Sequence, residues 1–321
     1  MHDEHSSIYG RAGVRLHNAP RCRPGLLVLG LIALATTAAF ARGPIGGRDA
    51  DYQMAVTQAH KRYKADRSGT IPDAIPRLAK VSAELYGVVI VRVDGKAWQA
   101  GDTRIPLVIS AAGAPFTAAL LAEQGGVVTD NPLDRAGSLI TLSLVEPQHD
   151  ADAKWRAVLG NLGSFAGREL FLDRAMYDSA NAAAVSVQES ARQLAGEGKL
   201  HDDTAATADL FVKQGAVTLT TYDLAVMAAT LANGGKNPLN GRAVVKPEVA
   251  RSLQTLIASN GLQKVGMAAV AGQAGCIIAI VPGRFGLATY SPPLDASGNS
   301  VRGQRAIKYL SQALQVDIPA R

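Results

Sequence analysis

The sequence predicts a mixed α/β fold of the α+β kind, in which an antiparallel sheet from both chain ends is flanked by helices and joined to a helical lobe. Two apolar runs predict this sheet. Tyr86–Val93 precedes the turn pair Asp94-Gly95, and Cys276–Val281 precedes Pro282-Gly283. Between these two hairpins the hydrophobic periodicity is helical. The simplest assembly pairs the hairpins in one sheet, and a cleft between sheet and lobe is then the default site for chemistry.

The remaining elements follow in chain order. Residues 42–68 are predicted to be a lead, Gly/Arg-rich and flexible at first and helical over 51–65. Return strands are predicted at Lys96–Ala100 and Gly286–Ser291. Helical patterns cover seven further stretches: Ile75–Leu85, Ala112–Glu123, Trp155–Leu162, Ser179–Ala195, Thr221–Ala232, Val249–Ile257 and Val301–Leu314.

Composition excludes several classes of protein. The chain has 321 residues, of which 47% are hydrophobic and 19% charged, which is ordinary for a globular protein. From Arg42 onward, 29 Lys and Arg stand against 25 Asp and Glu, with no Lys/Arg block in the sequence. Aromatic residues make up only 5%. We therefore expect no nucleic-acid partner. The two cysteines, Cys22 and Cys276, and the scattered histidines provide no metal-ligand spacing, so neither a metal nor another cofactor is expected.

The N-terminal segment has the pattern of a secretory signal peptide. Arg21 and Arg23 precede the apolar run Leu26–Ala35, and Ala39-Phe40-Ala41 supplies a cleavage site. Residues 1–41 are thus predicted to direct export to the periplasm or the medium. The alternative is an uncleaved membrane anchor formed by residues 26–41, although this run is slightly short for a span of ~20 residues.

Two long stretches, Asp223–Gly235 and Ser291–Gly303, are the most specific motifs of the sequence. Shorter ones lie at Ile75–Lys80, Tyr86-Gly87, Val93–Gly95, Ala100–Asp102, Asn131-Pro132, Ala136-Gly137 and Tyr177–Ser179. In order and spacing these stretches resemble the bacterial-type glutaminase family over residues 69–315, which we predict to be the glutaminase-like domain. The resemblance implies a serine β-lactamase/transpeptidase-like fold, hydrolysis of L-glutamine to glutamate and ammonia, and a homo-oligomer.

The catalytic positions depart from the family pattern. The family uses a Ser-x-x-Lys pair at the start of a helix, where residues three apart share one face, and the Lys takes the proton of the attacking Ser. Aligned without gaps over Pro106–Thr117, the Ser position is Ala111 and the Lys position is Ala114. The family's Lys-Ser-Gly triad reads Val270-Ala271-Gly272. The resemblance therefore implies that no catalytic residue is intact.

The substrate-binding positions implied by the resemblance are also substituted, and the cleft becomes largely apolar. They fall at Ala111, Arg135, Ala180, Val187, Phe211 and Gln273. Arg135 either holds a ligand carboxylate or is a solvated surface residue. Three functions remain open: an exported family member without amidase activity whose ligand is unknown, an active amidohydrolase that uses a replacement group such as Ser110, and an interaction protein whose cleft is irrelevant.

Overall fold

A computed structural model describes residues 48–128, 130–262 and 265–316, and its main feature is a five-stranded antiparallel sheet. The two hairpins from opposite chain ends pair in this sheet, as predicted, with Ile90 opposite Leu287. The strand order is β2-β1-β8-β7-β6. The strands are β1 (Gly87–Arg92), β2 (Ala97–Gly101), β6 (Ala268–Gly272), β7 (Cys276–Val281) and β8 (Phe285–Tyr290).

Helices cover both faces of this sheet. On one face lie α1 (Asp49–Tyr63) and α10 (Val301–Ala313), whose apolar side chains pack with the β1 residues Val88 and Ile90. On the other face lies α8 (Thr221–Ala232), every residue of which is buried except Tyr222. A Cβ on Gly286 would lie 2.0 Å from the backbone nitrogen of Ala229, so the close approach of α8 to β8 requires glycine there.

The rest of the described chain forms the helical lobe and a small second sheet. The small sheet has the order β3-β5-β4 and connects the lobe to the segment that follows the first hairpin. Its strands are β3 (Leu107–Val108), β4 (Phe171–Leu172) and β5 (Val217–Leu219). The helices are α2 (Ala114–Glu123), α3 (Arg135–Leu144), α4 (Ala151–Ala166), α5 (Arg174–Ala182), α6 (Val185–Gly196), α7 (Thr204–Gly215) and α9 (Pro247–Asn260).

Two of the predicted helices are wrong. Ile75–Leu85 contains only a 3₁₀ turn at Leu78–Lys80, because Leu78 is the one buried residue of this stretch and no apolar face packs a longer helix against the fold. Ser179–Ala195 is divided between α5 and α6. The break lies at Ala183-Ala184, where Ala184 is buried and no Gly or Pro interrupts the sequence, so packing rather than a local breaker places it.

The structure tests only some of the predictions for the N-terminal region. Residues 1–41, and with them the signal peptide and the alternative anchor, lie outside the described residues. The helix predicted over 51–65 is α1, which packs directly on the sheet through Tyr52 and Val56. Across the described ranges, no helix combines the length and the apolar character needed to cross a membrane.

Candidate functional site

The positions assigned to the nucleophile and the base lie on one short turn. A 3₁₀ turn, Ser110–Gly113, leads directly into α2, and the backbone N–H of Ile109 fixes its start by donating to the Val217 carbonyl at 3.0 Å. Ser110 has a φ of +50°, a left-handed conformation that is uncommon for a residue other than Gly, Asn or Asp. Ala111 is half-buried, and Ala114 is only 3% exposed. The chain is therefore bent sharply where these two methyl side chains are presented.

This turn packs between the edge of the main sheet and helix α7. A Cβ on Gly272, at the end of β6, would lie 3.3 Å from the Cβ of Ala112. On the other side, a Cβ on Gly113 would lie 3.1 Å from the Nε2 atom of Gln214. Val270 on β6 is buried in the apolar cluster that includes Ala112, and Phe211 on α7 packs against this cluster. The fold thus brings Ala111, Ala114, Val270 and Phe211 to one region.

A second wall comes from α3 and α6. The Nη1 atom of Arg135, the first residue of α3, lies 3.5 Å from the carbonyl oxygen of Ser186. Val187, which follows Ser186, and Phe211 both pack against the apolar cluster that includes Leu139. Arg135 is exposed, so its guanidinium group is accessible to solvent beside two of the other predicted positions.

The two remaining predicted positions lie on separate elements. Ala180 is half-buried on α5, a helix that bonds to α7 through Tyr177 and Asp209, two residues before Phe211. Gln273 is exposed and follows directly after β6. The structure therefore places Arg135 beside the residue that precedes Val187, places Val187, Phe211 and Val270 in or against apolar clusters, and places Ala180 and Gln273 on neighbouring elements.

Ser110 is the polar side chain of the turn, and a nucleophilic role for it would require a base beside its hydroxyl. Within the described residues, the Ser110 hydroxyl has no hydrogen bond to any side chain that could take its proton, although such reach is the first requirement of a general base. The same ranges contain no group of three His, Cys, Asp or Glu residues that could hold a metal ion. Nothing in this geometry favours Ser110 as a replacement nucleophile.

Two other side chains near the turn, an amide and a thiol, are buried and have structural contacts. Gln214, only 2% exposed, accepts a hydrogen bond from the Thr117 hydroxyl and so links α7 to α2. Cys276 is fully buried, with its Sγ atom 3.5 Å from the carbonyl oxygen of Ile109. Burial raises the pKa of this thiol to about 12, because the thiolate would lose its hydration. Cys276 is therefore a buried thiol of low reactivity.

A row of three polar side chains joins α5 to α7, and the sequence alone did not predict it. The Tyr177 hydroxyl donates to Asp209, whose other carboxylate oxygen lies 2.8 Å from Lys213 Nζ. The hydrogen bond to Asp209, together with burial, raises the pKa of Tyr177 to about 12. The Asp209–Lys213 spacing of four residues on one helix is a signal that could have predicted the second link. The first link joins distant parts of the chain and has no local signal.

Comparisons with known proteins agree with this architecture. The family model described as Glutaminase matches residues 69–129 and 110–318. Glutaminase 2 of Yersinia pestis is 32% identical over 298 residues, covering 82% of this chain and 87% of that protein. A glutaminase of Mycobacterium ulcerans is also 32% identical, over 86% of this chain and 97% of its own length.

Solved structures give the same result. The structure named "Probable glutaminase ybaS" superposes with a TM-score of 0.82 at 28% identity, covering 86% of this chain and all of that one. A structure of Mglu in its glutamate form has a TM-score of 0.78 at 28% identity, covering 85% of this chain and 70% of that one. The predicted serine β-lactamase-like fold class is thereby confirmed.

Proposed function

The chain belongs to the glutaminase family, and from this premise we propose that it is a member without glutamine-hydrolysing activity. The observation that carries the proposal is the pair of methyl side chains, Ala111 and Ala114, on the bent turn between β6 and α7. Attack on an amide needs a nucleophile and a group that takes its proton. Alanine supplies neither, and Ser110 beside them has no base within hydrogen-bond reach in the described part of the chain.

The surroundings of the turn support the same conclusion. Val270 is buried in an apolar cluster, and Phe211 and Val187 are packed against apolar residues. A glutamine amide placed among them would lose its water hydrogen bonds without gaining partners, at a cost of about 1–3 kcal/mol for each unpaired group. Because the polar groups are absent together, no single replacement leaves a buried partner unsatisfied.

The test is ammonia release from L-glutamine by the purified chain. We expect release at the level of a no-protein control, and no change in Ser110→Ala. The double variant Ala111→Ser/Ala114→Lys restores the family pair on the same turn, and we expect it to remain at background because the substrate-binding positions are still substituted. Release above background by the unsubstituted chain, lost in Ser110→Ala, would contradict the proposal and support the replacement-nucleophile alternative.

For the cleft itself we infer a ligand that carries a carboxylate or is mostly apolar. The exposed Arg135 guanidinium is the charged group that can pair with it. A cation in the first turn of a helix opposes the helix dipole, so the stability of α3 does not account for Arg135. The family resemblance implies a Glu at the position of Ala180, which would pair with the ammonium group of an amino acid, and a methyl group cannot do so.

We also propose export of this protein with cleavage after Ala41, based on the Arg-flanked apolar run and the Ala39-Phe40-Ala41 site. Sequencing the N-terminus of the processed chain tests this. A mature chain that begins at Arg42 is the expected result, and a full-length chain in the membrane fraction would instead support the anchor of residues 26–41.

Assembly into a homo-oligomer remains a proposal from the family, which light scattering of the purified chain tests.

A further inference from the structure

Positive charge that is scattered in the sequence is gathered on one face of the fold. The end of α1 and helix α10 pack side by side on the sheet face opposite α8. They bring together five exposed cations. Two carboxylates touch this pair of helices: Asp66, which is paired with Arg305, and Asp295, which accepts a hydrogen bond from Gln304. The cations are Lys61, Arg62, Lys64, Arg305 and Lys308.

A groove of about 560 Å³ lies at the centre of this face, and we call it the basic groove. It is lined by Arg62, Tyr63, Arg305, Lys308, Tyr309, Gln312 and Ala313. Within the described residues Arg62 and Lys308 have no carboxylate within ion-pair distance, and α10 contains no acidic residue at all. Among the described residues no ion pair accounts for these two cations, and exposed charges of this kind contribute little to stability.

The two tyrosines of the basic groove, Tyr63 and Tyr309, indicate which class of anion the groove binds. The Arg62 guanidinium carbon lies 5.9 Å from the ring centroid of Tyr63 and 5.6 Å from that of Tyr309. The Tyr309 hydroxyl donates to Gln58 at 2.7 Å. Both rings are half-buried and share one guanidinium neighbour, so they offer poor platforms for stacking nucleic-acid bases. Tyrosine beside Lys and Arg is instead the combination found at the headgroup level of membranes.

We propose that the basic groove and its flanking cations dock this protein on a membrane surface rich in anionic phospholipid. Long, flexible cations spread over two helices suit a surface of diffuse negative charge, to which each basic side chain adds a separate attraction. The groove lies on the sheet face opposite α8, whereas the turn with Ala111 packs on the α8 side. Docking therefore leaves the candidate cleft accessible, and the inference does not depend on whether the cleft is catalytic.

The experiment is sedimentation of the chain that begins at Arg42, the proposed mature N-terminus, with vesicles of phosphatidylcholine alone or with 40% phosphatidylglycerol. The test variant is Arg62→Gln/Arg305→Gln/Lys308→Gln. The matched control, Arg156→Gln/Lys236→Gln/Arg251→Gln, removes three exposed cations elsewhere. All three chains lack the apolar run Leu26–Ala35, so that run cannot itself bind the vesicles. We expect salt-sensitive binding to the anionic vesicles, weakened about a hundredfold in the test variant (about fivefold per cation) and within about twofold of the unsubstituted chain in the control.

Three results would overturn the proposal. Equal binding to neutral and anionic vesicles would show that charge is not the determinant. An equal loss in both triple variants would show that net charge matters and the groove does not. Binding to poly-glutamate or duplex DNA without binding to anionic vesicles would assign the groove to a soluble polyanion instead. Circular dichroism of each variant verifies that the fold is retained in every comparison.

Discussion

Two regions, one that matches a family motif and one that departs from the family pattern, have opposite polar character. Arg302, in the Ser291–Gly303 stretch, is fully buried, and its guanidinium donates to Ser291 Oγ at 2.7 Å, to the Leu85 carbonyl at 3.0 Å and to the Ala83 carbonyl. The turn at residues 110–114 presents Ala111 and Ala114, which have no polar side-chain atoms. A buried polar network resists single changes because each change leaves its partners unpaired. The methyl groups at the turn have no hydrogen-bond partners to leave unpaired, so a change there does not carry this penalty. The buried network of Arg302 therefore constrains its own sequence more tightly than the turn does.

The largest effect should come from breaking the polar network of the scaffold. We expect Arg302→Met to lower the free energy of unfolding by about 3–5 kcal/mol, because buried carbonyl groups and Ser291 lose their donor. Chemical denaturation measures it. Arg305→Gln on the same helix is the control, and a change below about 1 kcal/mol is expected there, since its ion pair with Asp66 is half-exposed. Similar losses in the two variants would contradict the contrast between buried and exposed networks.

A second scaffold network should be visible in the pH dependence of stability. Burial acts to raise the pKa of the Asp223 carboxyl, but hydrogen bonds from Arg168 and Thr220 outweigh it and hold this pKa below its ordinary value. A carboxyl with a lowered folded pKa contributes stability above its unfolded pKa, and the contribution disappears as the pH falls through the folded pKa.

We therefore expect Asp223→Asn to lose about 1–3 kcal/mol at neutral pH and to show a flatter decline in stability than the unsubstituted chain between about pH 5 and 2. Denaturation curves across this range provide the measurement. Asp178→Asn, at an exposed carboxylate on α5, is the control for the loss of one negative charge. A variant curve parallel to that of the unsubstituted chain would show that Asp223 does not titrate in this range.

The parts of the fold that could be predicted are those with local signals. β1 and β7 are β-branched runs with turn residues after them, and α8 begins and ends at the predicted residues. Strand β6 reads Ala-Ala-Val-Ala-Gly, which has weak strand propensity, so its pairing with β7 could not be read locally. The strands of the small sheet are two or three residues long and depend on partners far along the chain.

The candidate site divides in the same way. Alignment along the chain located the turn with Ala111 and Ala114, because the neighbouring motif residues are close in sequence. The contact of Arg135 with the Ser186 carbonyl joins α3 to α6, and only the three-dimensional structure shows it. The basic groove is a stronger example, since composition indicates mild, scattered basicity and the packing of α1 against α10 concentrates it.

The labelling rate of Cys276 measures how often the turn moves away from the main sheet. Its thiol lies behind the turn, 3.5 Å from the Ile109 carbonyl oxygen, with a pKa raised to about 12 by burial. In a Cys22→Ser chain at pH 8, we expect labelling by a thiol reagent at least about a thousandfold slower than in guanidinium chloride, because the thiolate is scarce and inaccessible. Rapid labelling of the folded chain would show that the turn moves away from β7 in solution.

The smallest effect on stability and the most informative one on function should come from Arg135. It is exposed at the start of α3, so Arg135→Ala should change the free energy of unfolding by less than about 0.5 kcal/mol. Arg156→Ala, another exposed arginine of the lobe, is the matched control. If the cleft holds a carboxylate through Arg135, calorimetry with simple carboxylic acids should show binding that weakens tenfold to a hundredfold in Arg135→Ala and is unchanged in Arg156→Ala. Glutamine should bind no better than these acids, because its ammonium group lacks a carboxylate at Ala180. Tight glutamine binding that persists in Arg135→Ala would contradict this assignment, since it requires an ammonium site elsewhere in the cleft.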